Sequence, residues 1–183
     1  MTHLQETLEF CSIGNGAYNL TFMNPTFNKG TTFPWSSWYF AVAVNGYGAV
    51  SNVHIRDATF GAGVDFTNNK IPAQHAGTQA AVSLYFDWTY TLAVTDQNGH
   101  PLTGATVRVM DSLGNQECDT STNAAGIATC VVTKERIHND TGDNQVENRN
   151  PMAVTTSKSG CVTNAMTESI SETTNRLTQL SCQ

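Results

Sequence analysis

Five histidines and five cysteines are the residues of this 183-residue chain best suited to metal or nucleophilic chemistry. The histidines stand at 3, 54, 75, 100 and 138, and no two are spaced as a metal-ligand pair. A serine or cysteine nucleophile would need a histidine and an orienting acid, and no G-x-S-x-G elbow is present. The expectation is therefore a chain without catalytic residues, metal or cofactor, and not an enzyme. The nearest approach to a cation site is "KERIHNDTGDNQVENRN", residues 134–150, where Asp140, Asp143 and Glu147 are oxygen donors. Their spacing is not that of an EF-hand, and the stretch reads as a solvated excursion between strands.

The cysteines are better matched to disulfides. Cys118 and Cys130 flank "DTSTNAAGIAT", which reads as a strand, a turn near Asn123 to Gly126 and a returning strand. In such a hairpin, positions whose numbers add to 248 face each other, as 118 and 130 do, so a cross-strand bridge is expected. Cys161 and Cys182 bracket a last predicted hairpin in a similar way. Two bridges suit an oxidising compartment and leave Cys11 as a candidate intermolecular thiol. The alternative is five buried thiols.

Two features could carry binding. In "TFPWSSWYF", residues 32–40, Trp35 beside Pro34 is a candidate platform for sugar rings, whereas Trp38 shares a strand face with Phe40 and Val42 and reads as core. Asn19-Leu20-Thr21 and Asn139-Asp140-Thr141 are sequons, making Asn19 and Asn139 candidate glycan acceptors.

Composition limits what must position these residues. Only 13% of residues are charged, against 26 threonines and 17 asparagines, a balance that favours strand faces and turns over surface helices. The predicted class is all-β. The formal net charge of −6 is shared between the halves without a basic patch, which excludes nucleic acid as an expected partner. The longest apolar stretch, Trp38 to Val44, is too short to span a bilayer. Met1 leads directly into polar "THLQET", so the chain reads either as cytosolic or as a mature or excerpted one.

From Val82 to Val94 every second residue is apolar or aromatic, a period-2 pattern that as one strand would extend about 43 Å. Two strands meeting at a bend near Asp87 are expected instead. No Gly/Ser/Pro linker divides residues 1–87 from 88–183, so these two domains are expected to be rigidly coupled.

In the second half, Tyr90, Leu92 and Val94 form one inward face and Val107 and Val109 the returning one, with Asn98-Gly99 as the turn between. Further strands are expected around Cys118, at 127–133, at 152–157 and at 176–182. The run "VTDQNGHPLTGATVRVMDSLGN", then "TSTNAAGIATCVVT", then "NPMAVTTSKSGC" resembles a carboxypeptidase regulatory-like domain over about residues 88–182. The resemblance rests on Asp96, Gly99, Pro101, Leu102, Gly104, Ala105, Val107, Val109 and Gly114, on the Thr122 to Ala128 hairpin, and on Ser157 to Gly160. It implies an immunoglobulin-like or transthyretin-like β-sandwich serving as a spacer, stalk or appended module, with no catalytic residues. An aromatic often follows the last glycine in that family; here Cys161 does.

The first half matches no family by its motifs. Tyr18, Leu20 and Phe22 alternate, as do Trp38, Phe40, Val42 and Val44, then Val53 and Ile55, then Val64 and Phe66. Strands of a second sandwich or of an enlarged sheet are one reading. The other is a short β-solenoid, because "VHIRDATFGAGVDFTNNKI" resembles one coil with two short strands and asparagine-rich corners.

These features predict a non-enzymatic extracellular or cell-surface structural protein that associates with itself in a fibre, pilus-like appendage or surface layer. Leu4, Leu8 and Phe10 share one face of an N-terminal segment that could be donated as a strand to a neighbour. The alternative is a carbohydrate-binding or spacer module of a larger adhesin or β-helix polysaccharide-active protein. Expected partners are itself and glycans, with no nucleic acid and no membrane span.

Overall fold

Unbroken period-2 alternation puts one face of a strand in a core, and β8, Val82–Asp96, obeys it along a single 15-residue strand. Leu84, Phe86, Trp88, Tyr90, Leu92 and Val94 are all buried. The two strands expected to meet near Asp87 are one strand. Asp87 is itself buried and accepts a hydrogen bond from the Thr133 hydroxyl at 2.8 Å, which lets the strand continue past an acidic residue. The computed structural model describes residues 6–12, 17–27, 40–46, 50–61, 82–138 and 145–183. Within them every regular element is a strand, so the fold is all-β.

The chain forms two compact units. The first comprises residues 1–86 with 136–147, and the second residues 87–135 with 148–183. Strands β8 and β11 (Ile127–His138) each contribute residues to both.

The first unit is a stack of parallel coils. Strand β1 (Glu6–Ser12) pairs in parallel with β5 (Phe40–Gly46), Leu8 beside Val42. Next, β2 (Ala17–Tyr18) and β3 (Thr21–Met23) pair in parallel with β6 (Val50–Arg56), and β4 (Thr26–Phe27) with β7 (Thr59–Phe60). From Ala17 to Phe27 each paired residue meets the one 33 positions later, as Thr21 meets His54 and Phe27 meets Phe60. The corners repeat as well. Asn19 and Asn52 adopt φ of 54° and 56°, and Asn24 and Asp57 adopt 52° and 54°. Asparagine and aspartate tolerate this left-handed conformation best among residues with a Cβ. Beside β6 runs the start of β8, which begins the next rung.

This is the solenoid arrangement rather than a second sandwich. Its interior is lined by Val53, Ile55 and Phe27, with Phe27 stacked on Phe60 at 5.3 Å. Backbone bonds hold the coils in register, including His54 N–H to Leu20 O at 2.8 Å and Gly61 N–H to Phe27 O at 2.7 Å.

The second unit has two layers. One is a four-stranded sheet in the order β10 (Gln116–Ser121), β9 (Thr106–Met110), β13 (Met152–Ser157), β14 (Asn164–Glu168), antiparallel throughout the pairings of β9, β13, β10 and β14. The other contains β8 and β11, with β15 (Thr174–Leu180) added in parallel to β8. A further short strand, β12 (Gln145–Asn148), pairs with β11, and all of it but Asn148 belongs to the first unit. Tyr90, Leu92 and Val94 of one sheet and Val107, Val109, Met152 and Val154 of the other are at most 1% exposed and form the core. The turn at Asn98-Gly99 therefore does not close a ladder between β8 and β9. It passes the chain from one sheet to the other.

The last predicted hairpin is corrected in the same way. Between Cys161 and Cys182, β14 joins β13 in one sheet while β15 joins β8 in the other. Turn residues signal reversal, but not which strand the returning chain will pair with.

One buried group in this core lacks a partner. Thr156 is 0% exposed, and its hydroxyl has no hydrogen bond among the described residues. Valine has the same shape without the desolvated oxygen, so Thr156→Val is expected to raise stability by about 1 kcal/mol. Urea unfolding of the two proteins checks this; a destabilised variant would mean the hydroxyl is in use.

Candidate functional site

Strand alternation on the coils sends Val53 and Ile55 inward and Asn52, His54 and Arg56 to the opposite face. The 33-residue register aligns these with Asn19, Thr21 and Met23 of the preceding coil, all three exposed. Two side-chain columns result. In one, Asn52 Nδ2 donates to Asn19 Oδ1 at 2.7 Å, while the Asn52 backbone N–H donates to Ser83 Oγ at 2.8 Å. In the other, His54 stacks on Tyr85 with ring centres 4.6 Å apart and planes 9° from parallel. The Arg136 guanidinium lies 5.8 Å from the Tyr85 ring centre, within cation–π range. Asn52 links the columns through its Oδ1, 3.0 Å from His54 Nε2. Arg136 also approaches Glu147 at 3.8 Å. Asn52 serves two neighbours at once, so its amide orientation is determined.

The second unit carries its polar groups in turns. Asp96, Asp111 and Asn123 each open a five-residue segment with glycine fourth: "DQNGH", "DSLGN" and "NAAGI". In all three, the Oδ1 atom accepts the N–H groups two and four residues on, at 2.7–3.0 Å. The glycine N–H closes on the first residue's carbonyl at 2.9–3.1 Å. For Asp96, the His100 N–H is the largest influence and, with the His100 ring and the Asn98 N–H, holds the carboxyl below the usual range. Burial pushes Asp111 the other way, but bonds from Asn115 and Leu113 and the charge of Arg149 outweigh it and hold Asp111 low.

Arg149 completes a small buried network. Its Nη1 is 2.7 Å from Glu117 Oε1 and 3.7 Å from Asp111 Oδ2, and the two carboxylate side chains are 8% and 0% exposed. Elsewhere, Tyr90 donates to Glu168 Oε1 at 2.5 Å, and Arg176 Nε holds the other carboxylate oxygen at 2.7 Å. Burial, then that bond, push the Tyr90 hydroxyl far above the ordinary tyrosine range. Burial likewise raises Glu135, with Lys134 opposing it. Tyr90, Glu168 and Arg176 thus form a hydrogen-bonded cross-link between β8, β14 and β15.

The anticipated site residues separate. The Cys118 and Cys130 sulfurs are at disulfide distance, 1.93 Å apart, as are those of Cys161 and Cys182 at 2.06 Å. The first pair does not cross a hairpin ladder, since β10 belongs to the four-stranded sheet and β11 to the other, so the bridge ties the two sheets together. Cys161 and Cys182 face each other in an isolated antiparallel bridge. Leu8, Phe10 and Cys11 stand on β1, paired with β5 of the same chain. Asn19 occupies a left-handed coil corner with its amide exposed. Glu147 lies beside Arg136. Leu4, Trp35, Trp38, Val64, Phe66, Asn139, Asp140 and Asp143 lie outside the described residues.

Among the described residues, no group of three His, Cys, Asp or Glu side chains is arranged to hold a metal ion. No helix there is long and apolar enough to cross a membrane. Neither the coil columns nor the Arg149 network was anticipated. The columns had one faint signal, the spacing of 33 shared by Asn19 and Asn52 and by Phe27 and Phe60. Arg149 had none, because its partners come from different strands and turns.

No family model matches the chain, and no curated protein matches it. Among solved structures it is similar to the Bacillus anthracis TIE protein, at 12% identity and a TM-score of 0.38, over 60% of this chain and 20% of that one.

Proposed function

We propose that this chain is a non-enzymatic extracellular structural module, the spacer or carbohydrate-binding part of an adhesin or polysaccharide-active protein. The carrying observation is the parallel register of 33 residues between two successive coils, in which the left-handed Asn/Asp corners recur and Phe27 returns as Phe60. Such a stack satisfies its backbone groups between neighbouring levels and presents side chains in fixed columns, properties of a support or a binding surface. Two cysteine pairs at disulfide distance favour an oxidising location. The resemblance of residues 88–182 to carboxypeptidase regulatory-like domains points to the same accessory role.

Self-association in a fibre, pilus-like appendage or surface layer is the second reading. One observation favours it: among the described strands β15 pairs with β8 alone, and Leu177 on it is 70% exposed. Negative-stain electron microscopy with light scattering, under non-reducing conditions, separates the two. Dispersed monomers in the secreted or surface fraction are expected. Regular filaments or sheets would replace the first reading with the second, and recovery of reduced protein from the cytosol would overturn both.

A further inference from the structure

We propose that the Cys161–Cys182 bond is a reducible clasp: a dithiol opens it ahead of the Cys118–Cys130 bond, and strand β15 then opens from the edge of β8. The device is separate from the accessory role and operates in a spacer or a fibre subunit alike.

Without that bond β15 is lightly held. Among the described strands it pairs with β8 alone, and four of its seven residues, Asn175, Arg176, Leu177 and Gln179, are exposed. Its buried side chains are Thr174, Thr178 and Leu180. Exposed polar contacts tie its C-terminal end: Gln97 Oε1 accepts the Cys182 N–H at 2.9 Å, Gln97 Nε2 donates to Cys182 O at 3.1 Å, and Gln179 Nε2 donates to Asp96 O at 3.0 Å. Water competes for such contacts, so each adds little. Around the cysteines, Val162 N–H donates to Ser181 O at 2.8 Å and Gln183 N–H to Gly160 O at 2.9 Å. The disulfide closes residues 161–182, 21 positions apart, into a loop and keeps this end of β15 beside the segment that leads into β14. The other end is anchored separately. Fully buried Ile170 donates its N–H to Asn150 Oδ1 at 3.0 Å and accepts from Asn150 Nδ2 at 2.8 Å. Breaking the disulfide therefore releases one end of the strand while the other stays hinged, the condition for local opening.

Access makes the two bonds unequal. Exchange requires a thiolate to reach a disulfide sulfur. Cys161 and Cys182 are both partly exposed, stand outside the regular strands and are flanked by exposed Gly160, Val162, Ser181 and Gln183. Cys130 is only 4% exposed, and its bond to Cys118 runs between the two sheets. A thiolate of the dithiol attacks one sulfur of the Cys161–Cys182 pair and displaces the other as a thiolate, which takes up a proton. The second thiol closes on the mixed disulfide and releases the remaining cysteine as a thiol. Two electrons pass to the cysteine pair, and the dithiol leaves as a cyclic disulfide. Opening of β15 then bares Tyr90–Asp96 of β8, a backbone edge of the kind that accepts an added strand.

Two readings on the whole chain test the proposal, with dithiothreitol as the dithiol. Iodoacetamide labelling and peptide mapping across a dithiothreitol titration should modify Cys161 and Cys182 at concentrations that leave Cys118 and Cys130 bonded. At that point, hydrogen exchange followed by mass spectrometry should show the amides of β15 and of Tyr90–Asp96 exchanging faster on the order of a hundredfold, the bias that closing a loop of this length supplies. Amides of β9 and β13 should keep their protection. The double variant Cys161→Ser/Cys182→Ser should show the same local exchange without any reductant. Reduction of Cys118–Cys130 first or together with the outer pair would overturn the proposal. So would unchanged exchange in β15 after reduction or in the double variant, or equal loss of protection in β9 and β13, which would mean that the whole unit unfolds. None of these results bears on the accessory reading, which depends on particle state and location.

Discussion

Replacing Gly126 with alanine is expected to destabilise the second unit by about 3–5 kcal/mol, a large share of the 5–15 kcal/mol typical of a folded domain. Two costs combine. Gly126 sits at φ +72°, a left-handed conformation that costs alanine about 1–2 kcal/mol. An added Cβ would also lie 2.6 Å from the Val94 carbonyl oxygen and 3.1 Å from both Leu102 N and Pro101 Cβ. That carbonyl accepts the Leu102 N–H at 2.9 Å, while Val94 N–H donates to Gly126 O at 2.8 Å, so relieving the clash pulls on both bonds. Gly99 and Gly114 provide the control. They hold the same place in equivalent turns, at φ +84° and +85°, with nothing within 4 Å of an added Cβ. Their alanine variants should lose only the conformational part, about 1–2 kcal/mol. Urea unfolding of all three measures the difference; equal losses would show that Gly126 is not closely approached.

Arg149→Met is expected to cost a further 3–5 kcal/mol at neutral pH, because it strands buried carboxylates while keeping most of the side-chain volume. Asp111 and Glu117 lose a shared cation in an environment where neither side chain is more than 8% exposed. The pH dependence fixes the interpretation. In the native protein the Asp111 carboxyl is held below its usual range, so its contribution is complete above the unfolded value, about 4, and is lost as pH falls through the folded value. Without Arg149, protonating Asp111 relieves an unpaired charge, so the variant loses less on acidification. The gap between the two proteins should therefore narrow below about pH 4. A gap independent of pH would assign the loss to packing instead of charge.

Much of the second unit was legible from short-range patterns. The alternation from Val82 to Val94 marked an inward face because the period of 2 is a property of the extended backbone. Asp96, Asp111 and Asn123, each with glycine three residues on, marked turns because the side-chain oxygen and the left-handed glycine act within five residues. Strand β13 appeared at the expected positions, 152–157, whereas β14, with the polar sequence "NAMTE", carried no comparable signal.

The cysteines show where such reasoning stops. Cys118 and Cys130 come together, but across two sheets and not across a hairpin, since a tight turn is compatible with either path. Only the partners of β10 and β11 decide between them. Of residues 134–150, expected as a solvated excursion, those up to His138 continue β11, with Arg136 over Tyr85 and Ile137 buried, and Gln145–Asn148 form β12; residues 139–144 lie outside the described residues.

By itself the sequence determined the all-β class, the turn positions and the inward residues of the long strand, because these depend on interactions within a few residues. The tertiary structure decided that the first unit coils in parallel, which side chains stack along it, and which carboxylates share Arg149. Those outcomes depend on contacts between residues about 30 or more positions apart, and their energies follow from register and burial, which exist only once the strands have paired.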